Sequence, residues 1–355
     1  MIASLPAITG IGSVSPYGPL AGLIAPCSLQ PSAIAAWTTA GPRRAFLVEP
    51  FRPASVIPGL KTRRLDRLSA WALVASSLAI QDAGIDLSTV DRSRVAVVVA
   101  TGFGCVELTE AFYHSAAANG WSGTDPITFP ETLANAPAGH VAMIHDLRGP
   151  NITVSSKSFS AESALIQAAS LIRHGQADMA VVLAGDTLTQ AVYEWYEAAD
   201  LLSPACYNSE PLPATAGFVP SAGFVPSEGV AALVLEPAGS REVRTYAHVR
   251  SGRWAAGGQA AESIRQMLGG SQPNLTICAG NGGPCATSPT DRLAREIAGC
   301  DATIVPPQAV AAGLAEAGGL LHLILALGSR PGTGQALLLA TSGESGFAAI
   351  HLELP

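Results

Sequence analysis

The sequence predicts an α/β fold assembled from two successive halves, and three observations carry the prediction. Apolar runs of strand length, such as Val95–Ala100 and Met179–Ala184, alternate with longer segments whose apolar residues recur at helical spacing. These runs are continuously apolar rather than alternating, as strands covered on both faces are. The alternation starts again near Pro237, which divides the chain into expected halves 1–236 and 237–355. A doubly wound sheet and a duplicated layered fold both satisfy this pattern.

Taken in order, Ala7–Gly18 (AITGIGSVSPYG) reads as a buried strand running into a Gly/Pro loop. From Asp66 to Ala83, the positions Leu68, Trp71, Ala72, Ala75, Leu78 and Ala79 mark one face of a helix. Lys61, Arg63, Arg64 and Arg67 crowd its start. They suit either a solvated helix end or contact with an acidic carrier protein or partner subunit. Val95–Ala100 is a β-branched buried strand that ends in Thr101-Gly-Phe-Gly104.

The central stretch, Gly149–Asp186, parses as a strand (Ile152–Ser155), a small-residue turn, a helix (Ala161–His174) and a strand (Met179–Ala184). Ala161, Ala164, Leu165, Ala168, Leu171 and Ile172 form the inward stripe of the helix. Ser160 is expected to cap it, Glu162 suits its positive first turn, and Gly175 closes it. A side chain in the turn before such a helix faces unsatisfied amides, where an enzyme of this build keeps a nucleophile or binds an acyl oxygen. That residue is Ser158.

Further on, Ala216–Ser221 (AGFVPS) recurs at once as Ala222–Ser227, ahead of a strand at Glu228–Leu235. Two copies make no repeat architecture, and the extra one is expected to lengthen a surface loop at little cost. Beyond Pro237, strands are expected at Thr276–Ala279, Thr303–Val305, Ala336–Ala340 and Phe347–Leu352, with helices at Ser288–Ala298 and Leu314–Leu327.

At 355 residues and 48% hydrophobic, the chain can bury a large core, and its net charge of -7 argues against a nucleic-acid surface. Cys27, Cys105, Cys206, Cys278, Cys285 and Cys300 show no C-x-x-C spacing, as reduced thiols of a cytoplasmic protein would; no metal and no cofactor are expected. The first 42 residues are uncharged but lack the basic start of a signal peptide and are broken by Gly and Pro. No run reaches the roughly 18 apolar residues of a membrane span.

Gly149-Pro150, a strand, a small-residue turn and an Ala-rich helix ending in Ile172-Arg-His-Gly-Gln-Ala-Asp178 resemble the central segment of the β-ketoacyl-carrier-protein synthases, condensing enzymes of the thiolase fold. The opening run, Thr101–Gly104 and Gly223–Ala231 resemble family motifs in the same order. The resemblance spans nearly the whole chain and implies a thiolase-like α/β fold, with duplicated halves in an αβαβα layered sandwich. The family's T-A-C-x-S-G turn reads Ser156-Lys157-Ser158-Phe159-Ser160-Ala161 here, so its nucleophilic Cys falls on Ser158.

The chemistry departs from the family. In condensing synthases two His polarise the malonyl thioester carbonyl and helix-end amides hold the oxyanion. The first His position, in the segment Thr276–Asp291, falls nearest Gly283; the second, in Pro307–Gly319, falls nearest Gly313. Glu344, in Ser342–Gly346, stands where the family keeps a gating Phe. His114, His140, His145, His174, His248, His322 and His351 fall in none of these motifs and read as structural. A serine needs an adjacent base to become nucleophilic, and Lys157 points away from Ser158 in an extended turn.

The resemblance therefore implies a chain-length factor, a catalytically silent subunit that forms a heterodimer with an active ketosynthase in type II polyketide or polyene systems. The growing chain would run from the partner's Cys to the interface, where Ser158, Phe159 and Glu344 line the tunnel and gate; an acyl carrier protein would be reached through the complex. Aromatic-polyketide factors often carry Gln at the Cys position, and this chain is shorter than usual, which leans towards the aryl-polyene or reducing polyene type. Two readings stay open beside it: a Ser158-dependent acyltransferase or thioesterase on the same fold, and a homodimeric acyl-binding scaffold. Glu344, as a buried carboxylate, is expected to meet a cation of this chain or of the partner.

Overall fold

The expected opening strand forms as β1 (Pro6–Ser15), buried at every position, with β2 (Gly18–Ala21) folded back on it. Two short strands, β3 (Ser32–Ala33) and β4 (Arg44–Ala45), pair in a separate small sheet. The first half continues through α1 (Arg67–Asp82), β5 (Val95–Ala100), α2 (Val106–Asn119), α3 (Ala136–His145), β6 (Asn151–Val154), α4 (Ser160–Arg173), β7 (Met179–Asp186), α5 (Gln190–Ala198) and β8 (Gly229–Pro237). The second half holds β9 (Ala247–Ala256), α6 (Ala260–Leu268), β10 (Leu275–Ala279), α7 (Pro289–Ala298), β11 (Thr303–Val305), α8 (Gly319–Ser329), β12 (Gly334–Thr341) and β13 (Gly346–Leu354). This computed structural model describes residues 5–24, 29, 31–34, 43–156, 159–207, 223–256, 259–279, 289–298, 303–305, 318–329, 333–341 and 346–355.

The duplication is visible in the strand order. The first half runs β6-β5-β7-β8-β1 across its sheet, and the second runs β11-β10-β12-β13-β9. Numbered within each half, both orders are third, second, fourth, fifth, first. In both, the second strand is parallel to its two neighbours and the fifth is antiparallel to the fourth and the first. The half-sheets join edge to edge where β1 meets β9, at Ala7 opposite His248 and Ile8 opposite Ala247.

Side-chain parity builds the layers, because alternate residues of a strand face opposite sides. Val95, Val97 and Val99 of β5 pack in a cluster with α1 and α3, whereas Ala96, Val98 and Ala100 pack in one with α4. In the second half, Cys278, Leu337, Leu339 and Phe347 pack with α6 and α7, whereas Ile277, Leu338, Ile350 and Leu352 join the cluster that contains α4 and α8. The order of layers is thus helix, sheet, helix, sheet, helix. α8 is buried at every residue from Gly319 to Leu327, as a helix that is apolar all round must be.

Several expectations shift at element ends. The last helix begins at Gly319; positions 314–317 of the expected range lie outside the described residues. Ser160, expected as a cap, is already the first helical residue of α4. The second AGFVPS copy is buried at Phe224 and Val225, and the first copy, expected to lengthen a surface loop, lies outside the described residues. Among the described residues no helix is long and apolar enough to cross a membrane.

Close approach of β1 to α1 depends on glycine. A Cβ at Gly10 would overlap Ala79 O and lie 2.7 Å from Ala83 Cβ. Gly10→Val is expected to destabilise the protein by about 3 kcal/mol in urea unfolding, the cost of overpacking a buried contact; a loss under about 0.5 kcal/mol would show that the contact is not tight.

Candidate functional site

The turn between β6 and α4 is built by two unusual features. Phe159, at the cap position, is left-handed (φ 54°, ψ 27°), a conformation that costs a non-glycine residue about 1 kcal/mol. Its ring packs against the central cluster, which offsets that cost. Ser160 does not cap α4 as expected, because its backbone is already helical. Instead its Oγ accepts from Ser156 N at 3.0 Å and ties the strand end to the helix start.

Ser158 and Lys157 lie outside the described residues, as do Gly283, Gly313 and Glu344. The structure does describe the frame around them. A Cβ on Gly346 would sit 3.4 Å from Phe159 Cζ, so the Phe159 ring borders the first residue of β13. The fold therefore brings the start of α4 beside the segment that follows Glu344, although almost two hundred positions separate them in sequence.

Glu162 is the site residue that sequence reasoning missed. It was expected only to suit the first turn of its own helix, but its carboxyl is 2% exposed and lies against the first residue of α8. A Cβ on Gly319 would overlap Glu162 Oε1, which is why that position carries no side chain. Among the described residues Oε1 has no hydrogen-bond partner, and burial pushes the carboxyl up to about 7. One turn along α8, buried His322 meets Gly318 O through Nδ1 at 3.1 Å, has no partner for Nε2 among the described residues, and is pushed down to about 4 by desolvation. The only advance signal was a glycine pair opening an otherwise Leu-rich helix.

Of the other imidazoles, all but half-buried His248 are engaged elsewhere or exposed. His140 Nε2 meets Glu131 at 2.7 Å, His145 Nε2 meets Ser76 Oγ at 3.1 Å, His174 Nδ1 meets Ser170 O at 2.8 Å, and His351 Nε2 meets Gln335 Oε1 at 3.0 Å. Desolvation pushes His145 down to about 4. His174 ends α4, about 20 Å along the helix from Ser160. His248 lies in β9 and His114 is exposed on α2.

The cationic segment divides in two. Lys61, Arg63 and Arg64 are exposed and form no ion pair among the described residues. Arg67 is different: it bridges Glu107 at 3.0 Å and buried Glu228 at 3.1 Å, donates to Leu188 O at 2.8 Å, and stacks over Trp71. Glu228 also accepts from Val48 N and Leu188 N, each at 3.1 Å. Arg67 therefore brackets α1 to β8 and is not free in the way its three neighbours are. A cleft of about 370 Å³ beside it is lined by Val48, Phe51, Leu65, Asp66 and Trp71. Cys105, Cys206 and Cys278 are buried, and burial pushes the thiols of the first two up to about 12, which makes them inert.

Comparison with known proteins decides the family. The model of the β-ketoacyl synthase N-terminal domain matches residues 26–240, more than half of the chain. The chain belongs to the β-ketoacyl synthase family. A 3-oxoacyl-[acyl-carrier-protein] synthase 2 of Vibrio cholerae is 27% identical over 183 residues, 49% of this chain and 44% of that protein. The chain thus spans less than half the length of that relative. Among solved structures, the ishigamide ketosynthase/chain length factor superposes with a TM-score of 0.71 at 22% identity, covering 99% of each chain. The structure AntDE:AntF, a type II polyketide synthase acyl-carrier protein in complex with its ketosynthase bound to the hexaketide, gives 0.75 at 16% identity, covering 99% of this chain and 100% of that one. These likenesses establish the thiolase-like fold. The synthase-family match includes α4 and its turn and ends before positions 283, 313 and 344.

Two buried carboxylates lead to opposite outcomes. The fold holds Glu162 protonated, so stability is highest below the ordinary value of 4.5, falls as pH rises from there to about 7, and stays low above it. Glu162→Gln is expected to flatten this profile and gain about 3 kcal/mol at pH 8 in urea unfolding. Arg67→Met leaves Glu228 buried without its cation and is expected to cost about 3 kcal/mol, whereas Lys61→Met stays within about 0.5 kcal/mol. Equal effects at the two positions would refute the division of the segment.

Proposed function

We propose that this chain is a non-catalytic, chain-length-factor type of ketosynthase subunit, which pairs with an active ketosynthase in type II polyketide or aryl-polyene synthesis and shapes the acyl tunnel. The observation that carries the proposal is the loss of both catalytic imidazoles: glycines stand nearest their positions, at Gly283 and Gly313. His322, the imidazole across from Glu162 at the start of α4, is buried and uncharged at neutral pH, and exposed His174 stands at the far end of that helix. Ser158, in the place of the nucleophile, then has a frame but no base. Phe159 and Glu344 serve as tunnel and gate, and Lys61, Arg63 and Arg64 receive an acidic carrier protein.

Pairing is supported by an unpartnered surface on the first half. β6 is the outermost strand of its sheet, and edge strands are readily extended by another chain. Asn151 Nδ2, on β6, donates to Ala138 O of α3, and Asn151 is exposed. Nearby, α2 buries none of its residues, and Tyr113, Trp121, Phe129 and Met143 are exposed, Trp121 by 70% and Met143 by 68%. Exposed apolar surface of this extent marks protein–protein contact. The solved ketosynthase/chain length factor and ketosynthase–carrier structures that share the fold are consistent with the same assembly.

Affinity-tagged chain purified from its native host and weighed by native mass spectrometry is expected to carry a ketosynthase that retains Cys and both His, at roughly 1:1. Trp121→Asp combined with Phe129→Asp is expected to release that partner without lowering Tm. A homodimer free of ketosynthase would replace the proposal with the acyl-binding scaffold.

A further inference from the structure

The junction of α4 and α8 holds two buried polar groups that lie close together without bonding each other. Glu162 Oε1 occupies the space where a Cβ of Gly319 would lie, and His322 stands three residues further along α8, on the same side of that helix. A helical side chain leans back over the preceding turn, and the contact of His322 Nδ1 with Gly318 O shows this imidazole doing so. The ring is thereby folded towards the residue that Glu162 abuts. Both side chains are almost fully buried, and neither Glu162 Oε1 nor His322 Nε2 has a hydrogen-bond partner among the described residues. Leu165, Leu320 and Leu323 of the same two helices pack in the surrounding cluster and bring no polar side-chain atom.

The protonation states define what is missing. A backbone carbonyl only accepts, so His322 Nδ1 carries the ring proton and donates it to Gly318 O. In the neutral ring that desolvation enforces, Nε2 is then left as a bare acceptor. Burial favours the protonated carboxyl of Glu162, which presents an O–H with nothing to receive it. One helix thus brings a donor and the other an acceptor, and the two do not meet directly. A carbonyl oxygen would satisfy only the donor, and an amide N–H or an ammonium only the acceptor. A hydroxyl satisfies both, because its oxygen accepts while its hydrogen donates. We propose that Glu162 and His322 together hold one hydroxyl group between α4 and α8, supplied either by a water molecule or by a hydroxylated acyl chain that reaches the start of α4. The acyl source rests on the proposed acyl tunnel, whereas the water source does not.

Two measurements on the purified protein tell the sources apart. Magnetic relaxation dispersion of the water signal counts long-lived internal waters, and Glu162→Leu combined with His322→Leu is expected to hold one fewer than the wild type when water is the occupant. Replacing both polar partners with apolar side chains leaves no orphan, so the double variant is expected to fold. His322→Leu alone keeps the contact of Glu162 with Gly319 and is expected to lose the same water. Calorimetric titration with β-hydroxydecanoate and with decanoate tests the acyl source: the hydroxy acid is expected to bind about tenfold more tightly, and that advantage to vanish in both variants. Either result supports the hydroxyl site and identifies its occupant. An unchanged water count, together with equal binding of the two acids or none, would overturn the proposal whether or not the chain pairs with a ketosynthase.

Discussion

The structure depends on one buried contact, the packing of α4 against α8 between two half-sheets. Each helix is held by its own half, and the repeated strand order places them in equivalent positions. Both helices begin in the interior, so the first turns of the two halves meet where Glu162 lies against Gly319. Orphan amides at a helix start demand an acceptor, and a fold with two such starts side by side is predisposed to hold an oxyanion or a carboxylate. Here a carboxyl group of the chain itself lies at that meeting point.

On the proposed reading, the frame of a condensing enzyme persists without its chemistry. The left-handed Phe159 and the Ser156–Ser160 bond still shape the turn at the start of α4. On that reading, which rests on sequence order, Gly283 and Gly313 fall nearest the family's two imidazole positions, and desolvation keeps His322 uncharged at neutral pH. Under that proposal the frame serves as a wall, with the outermost strand β6 and the exposed aromatic residues near α2 as the surface offered to a partner.

Much of the fold was legible because its determinants are local. The strand at Val95–Ala100 forms over the residues its β-branched run indicates, and α4 begins one residue before the start that its stripe marks. The elements that were not legible lack such a stripe. α2 buries nothing and so shows no inward face. β9 carries Arg250, Arg253 and exposed Trp254 among its apolar residues. Ser158 is placed by sequence order alone and lies outside the described residues, and Glu162 was not legible because its partner Gly319 lies in the other half. Likewise Arg67 looked like its cationic neighbours until Glu228, far along the chain, appeared beneath it.

Intact mass measurement of each subunit, after the purified complex is incubated with an acyl-loaded carrier protein, tests catalytic silence most directly. The account predicts an acyl adduct on the partner ketosynthase and none on this chain. An adduct on this chain that disappears with Ser158→Ala would contradict it and make Ser158 an acyl acceptor.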